Sequence, residues 1–191
     1  MKKLLLIFIM TFIFHNLIKA DDIKNFEIEG ISLGDSALDY FDINEIIQRK
    51  ENGFVYEKKD FFSATFYEKN FFKRYDNVQL HLKKDDNNYI IYSVGGQMKL
   101  DNYQNKCFDT MDEVLSSIKN LFPKAKFYDA GITDWTSSKN INTKVKSYYL
   151  TLKSNDEISI QCYDHPKESE DFKDNLLIAL DSAEFVNWLY D

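Results

Sequence analysis

Proline is almost missing from this chain. Pro123 and Pro166 are its only two, both in the second half, so no Pro-rich linker divides the 191 residues and one folded unit is expected. Arginine is reduced to Arg49 and Arg74 against 22 lysines, and Asn, Ile, Phe and Tyr are abundant. That bias is the mark of an AT-rich coding sequence, so neither lysine nor aromatic richness is read as functional. Histidine is limited to three, and only His81 and His165 lie beyond the N-terminal segment. They are far apart, and a closed zinc site needs four ligands, so no metal site is expected. Beyond residue 20 no apolar run approaches the roughly 20 residues that cross a bilayer.

What the first twenty residues do contain is a leader. Lys2 and Lys3 precede an apolar run from Leu4 to Phe14, and Ala20 offers a small residue for signal peptidase just before Asp21 and Asp22. Residues 1–20 are therefore expected to be a cleaved signal peptide and 21–191 the mature domain, a retained anchor being the alternative. No cysteine stands near residue 20, which argues against a lipid-anchored lipoprotein. Lys2, Lys3 and Lys19 leave with the leader. Of 24 basic residues 21 then face 31 acidic ones, a mature net charge of −10. Such a surface repels phosphate, so nucleic acid and anionic lipid are not expected partners.

Cys107 and Cys162 are the only cysteines. An even pair in an exported chain reads first as a disulfide, with two separate buried thiols as the alternative. Closing that loop would constrain the unfolded chain by roughly 4 kcal/mol. Cys162 continues the alternation Ile158, Ile160, which turns it toward the core side of a strand.

The pattern along the mature chain is α+β. Phe26 to Glu29 alternates as a short strand, and one broken helix or two short ones are expected from about 36 to 49, the unit ending at Gly53. Strands follow at 61–67, 78–83 and 89–94, with Gly95-Gly96 as a bulge or a close backbone approach. Thr110 and Glu113 form a capping box for a helix carrying Met111, Val114, Leu115, Ile118, Leu121 and Phe122, stopped by Pro123. A polar loop then leads to a hairpin over 144–153 and 157–163. A last strand holds Leu176, Ile178 and Leu180, and a terminal helix is capped by Ser182. Antiparallel sheet with two to three packed helices is expected, and a duplicated helix-plus-hairpin unit would account for the repetition.

Gly34-Asp35-Ser36-Ala37-Leu38 resembles the first block of the GDSL-type serine hydrolases, in which the serine is the nucleophile. Ser36 with His165 as base would be the catalytic pair, but Cys162 stands where the family's Asp-x-x-His places its aspartate, and the family's later blocks have no counterpart. A turn glycine and a helix cap explain the same residues. Cys162, Asp164 and His165 have zinc-like spacing but no second cluster, and an oxidised Cys162 cannot ligate. His81, flanked by Gln79 and Lys83 on the polar face of its strand, reads as a surface residue. In Phe61-Phe62 and Phe71-Phe72 adjacent rings face opposite sides of a strand, which exposes one of each pair unless another layer covers it. The charged stretch 167–173 reads as a solvated loop.

The run Phe26 to Ser36, continuing through Asp39-Tyr40-Phe41, resembles a group of small exported proteins of unknown function from Pelagibacter-type marine alphaproteobacteria. The likeness extends to the leader, Cys107 ahead of the Met111–Phe122 helix, Cys162-Tyr163-Asp164 and the closing helix with Trp188. It implies export and the two cysteines and transfers no functional residues. More loosely, the helix-then-hairpin units look like envelope modules of the outer-membrane assembly lipoprotein and β-lactamase-inhibitor type, which speaks to fold alone. The function expected is a non-catalytic periplasmic or secreted module that needs no cofactor and binds an envelope protein or small ligand through a sheet face. The alternatives are the Ser36 hydrolase and a purely structural envelope protein.

Overall fold

Alternation writes most of the sheet. The structure, a computed structural model, describes residues 23, 26–51, 56, 58, 60–67, 72–100, 103–136, 142–166 and 173–191. The residues read as a leader and its cleavage point, Gly53, Phe71 and the charged residues 167–172 lie outside them. The elements are α1 (Ile43–Glu51), β1 (Phe61–Phe66), β2 (Asn77–Lys83), β3 (Ile91–Lys99), α2 (Tyr103–Leu121), β4 (Lys126–Thr136), β5 (Asn142–Thr151), β6 (Glu157–Asp164), β7 (Asn175–Asp181) and α3 (Ala183–Tyr190). The strands form one antiparallel sheet in the order β1-β2-β3-β7-β6-β5-β4. This is the α+β architecture that the sequence implies. Each half is a helix followed by a meander, and the two meanders join where β3 pairs with β7.

One face of the sheet is the core. Ala64, Phe66, Leu80, Val94, Leu180, Ile158, Ile160 and Leu150 are fully buried there. Cys107, Met111 and Ile118, spaced to share one helical stripe, lay α2 over β6 and β7. Ile28, Ile31, Leu33, Ala37, Phe41 and Ile46 belong to the same core, and α1 packs on β1. Cys107 of α2 is bonded to Cys162 of β6 with Cα atoms 6.1 Å apart, and both are fully buried. The disulfide therefore fastens helix to sheet through the core.

Several expectations shift. Phe26 to Glu29 makes only an isolated bridge, Ile28 with Ile31, closed by a turn with Glu29 at φ 54° and Gly30 at φ 83°. Of the two readings for 36–49, two short pieces is the one found, the first a 3-10 turn at Ala37–Asp39 and the second α1. Thr110 is not a cap: α2 begins at Tyr103, and the Thr110 hydroxyl donates to the Lys106 carbonyl one turn back, at 2.8 Å. The polar loop before the second hairpin is largely β4, an edge strand bulged between Asp129 and Gly131. Phe61 and Phe62 keep to expectation, since a second layer covers the sheet there: both are buried, Phe62 in the core and Phe61 beneath α3.

Candidate functional site

The second face of the sheet is polar. Residues alternating with the core set bring Gln79 and His81 of β2, Ser93 and Gly95 of β3, Ala179 and Asp181 of β7, and Ser159, Gln161 and Tyr163 of β6 to one surface. Gly95 and Ala179 lie in its middle, where Leu177 and Ala179 pack against the Gly95 backbone, and a hollow opens among these residues. α3 forms its wall. Ser182 caps the helix directly after β7, accepting from the Phe185 amide at 3.2 Å, so the chain turns back over the sheet. Phe185 then stacks on the His81 ring at 4.5 Å, and Trp188 packs on Phe61 and Tyr56 while its indole N–H donates to Asp60 at 2.9 Å. The remaining cleft holds about 190 Å³, the room of roughly six liquid waters.

His81 is thus not the surface residue that its strand neighbours suggest; it is 9% exposed, covered by a helix a hundred residues later. Burial pushes its pKa down to about 3, so the ring is neutral. The Tyr56 hydroxyl lies 2.6 Å from Nε2, and Nδ1 lies 3.0 Å from the hydroxyl of Ser93, which stands directly opposite Asp181 across the β3–β7 ladder, so that its hydroxyl can serve that carboxyl. One direction of donation uses every proton: Tyr56 O–H to Nε2, Nδ1–H to Ser93 Oγ, Ser93 O–H to Asp181. Burial pushes the Asp181 carboxyl up to about 7; the Ser93 bond opposes this, and neighbouring Glu157 adds to it. The Glu157 carboxyl is itself raised by burial. Beyond them the Gln161 amide donates to Ser147 Oγ and to the Tyr149 hydroxyl, both at 3.2 Å, and accepts from the Tyr163 hydroxyl at 3.0 Å.

Serine, histidine and aspartate meet here in an order unsuited to nucleophilic catalysis. A triad sets histidine between serine and acid, so that the ring takes the serine proton. Here Ser93 stands between His81 and Asp181, its proton directed to the carboxylate and its oxygen occupied by the ring. The arrangement orients Asp181 and does not activate Ser93.

The sequence-derived pair Ser36 and His165 is not brought together. Ser36 caps the 3-10 turn, accepting from the Leu38 amide at 3.2 Å and donating to the Asn88 carbonyl at 2.7 Å, and it bridges to Ile90 at the start of β3. His165 sits at the other end of the sheet. Its Nδ1 is 2.9 Å from the Thr143 hydroxyl, its ring stacks on Tyr163, and its backbone N–H donates to Asp174 at 2.9 Å. It neighbours Asn175, which pairs with Lys99, nine residues along the chain from Ile90 or roughly 30 Å of extended strand. Cys162 is consumed by the disulfide, and among the described residues no three of His, Cys, Asp and Glu converge as a metal site.

Sequence reasoning missed Asp181, Glu157, Ser93 and the tyrosines. The signal was the polar alternation Ser159-Gln161-Tyr163 facing away from Ile158-Ile160-Cys162. Among the described residues no helix is long and apolar enough to cross a membrane. No protein-family model matches the chain, and no curated protein or solved structure matches it either.

Proposed function

We propose that the mature chain is an exported, non-catalytic binding module of the cell envelope that takes a small ligand in the cleft between the polar sheet face and α3. The observation that carries this reading is the cleft: a hollow of about 190 Å³ walled by hydroxyls, amides and carboxyls on rigid strands. Binding sites place a few polar groups on a firm frame, and the Gln161, Tyr149 and Tyr163 network provides that frame. Binding is favoured over catalysis because Ser93 and His81 spend their reactive atoms on one another and on Tyr56 and Asp181. The oxidised Cys107–Cys162 pair supports a periplasmic or secreted setting, since thiols in the cytosol are kept reduced.

Native mass spectrometry of protein recovered from envelope extracts tests this. The expected result is a chain beginning at Asp21 that carries a small adduct, lost when Ser159→Tyr fills the cleft. A clean apo mass, or an adduct that survives the filled cleft, would count against the reading.

A further inference from the structure

We infer that the cleft is shaped for a small organic cation, an ammonium group with its alkyl substituents; this rests on reading the cleft as a ligand site. Glu157 and Asp181 are the charged side chains that line it, and among the described residues no lysine or arginine does. They are direct partners across the β6–β7 ladder, so two like charges share one face at neighbouring positions. Among the described residues no basic group pairs with either of them. Ionised together, carboxyls opposed in this way repel, and a cation seated between them would relieve that repulsion.

The remaining wall suits an organic cation. Tyr56, Tyr149, Tyr163 and Tyr190 line the cleft, and ring faces attract ammonium groups by cation–π contact. Leu177 and Ala179 floor it with apolar surface that alkyl substituents can cover. A bare metal ion fits poorly. Calcium takes about six to eight oxygens, two carboxylates supply too few, and His81 has both ring nitrogens engaged. An anion would meet two carboxyls and no compensating charge.

Three probes that share a trimethyl head separate the possibilities by calorimetry on the mature protein: choline, its uncharged tert-butyl isostere with carbon in place of nitrogen, and the anion pivalate. Choline should bind about ten-fold or more tighter than the isostere, with pivalate undetected. Glu157→Gln and Asp181→Asn should each weaken choline about ten-fold and leave the isostere unchanged, with melting curves confirming that both variants fold. Equal binding of isostere or pivalate would overturn the cation inference and leave the cleft as a ligand site. Unweakened choline binding in both variants would overturn it as well. Saturable binding of none of the three would overturn the inference and the cleft reading together.

Discussion

Glu157 and Asp181 face one another across the β6–β7 ladder, one register step from Ile158 and Leu180, which meet on the opposite face of the sheet. A single pleat thus divides a closed apolar pair from an acidic pair that, among the described residues, no basic side chain neutralises. The apolar pair belongs to the core that stabilises the fold, and the acidic pair is a local cost that a ligand can offset.

Asp181 and His81 should give opposite pH dependences. The unfolded Asp181 carboxyl releases its proton near pH 4 and the folded one near pH 7, so its contribution to stability is full at low pH and lost as pH rises between them. His81 runs the other way: its contribution is present above about pH 6.5 and lost as pH falls toward 3. Glu157, Tyr56, Tyr163 and Tyr190 face the same cleft, and of these Glu157, raised as Asp181 is, adds to the Asp181 trend. Relative to wild type, Asp181→Asn should therefore lose melting temperature more steeply on acidification from pH 6.5 to 4, and His81→Gln less steeply. The difference should amount to a few kcal/mol at its extreme. Melting curves at several pH values that stay parallel for all three proteins would contradict the assignment.

The buried disulfide should be a strong local determinant of stability. Replacing Cys107 and Cys162 together by alanine should cost about 2–5 kcal/mol in denaturant unfolding, because α2 loses its tether to β6. Both cysteines are fully buried, so reductant should open the bond only as fast as the protein unfolds. Rapid reduction under native conditions would place the bond at the surface.

Gly96 should resist even a methyl group. A Cβ there would lie 2.6 Å from the Tyr75 ring, which the Glu29 carboxylate holds in place by accepting the Lys73, Arg74 and Tyr75 amides. Gly96→Ala should destabilise by about 1–3 kcal/mol, and adding Tyr75→Leu should recover part of that loss. Full additivity of the two changes would argue against the contact.

Ser36 should be chemically quiet. Its hydroxyl caps a turn and donates to the Asn88 carbonyl, and among the described residues no base is hydrogen-bonded to it, so a fluorophosphonate probe should leave it unlabelled. Ser36→Ala should cost about 1 kcal/mol as a lost cap. Labelling at Ser36 would revive the hydrolase reading.

Local pattern made the framework legible, and long-range packing hid the site. The β6 alternation Ile158, Ile160, Cys162, the α2 stripe and the Ser182 cap each depend on neighbours in sequence, and all three appear where the pattern puts them. β4 was illegible because an edge strand with one covered neighbour needs no clean alternation: Phe127, Tyr128 and Ile132 are exposed, and Gly131 at φ 67° breaks the period. His81 looked like a surface residue because the α3 residue that buries it, Phe185, is remote in sequence. The Glu157–Asp181 pairing required the β6–β7 register, which composition does not encode. Of the two readings for Gly95-Gly96, a bulge or a close approach, the second holds: both pair in regular register and a Cβ at either would meet another side chain within 3.0 Å.

The central claim is that the cleft between the sheet and α3 binds a ligand, and a protein-observed NMR titration with choline tests it at residue resolution. Saturating shifts should concentrate on Tyr149, Gln161, Ala179, Asp181 and Tyr190, with the core-facing Leu80 and Met111 unmoved. Shifts gathered elsewhere on the molecule, or none at saturating choline, would contradict the account.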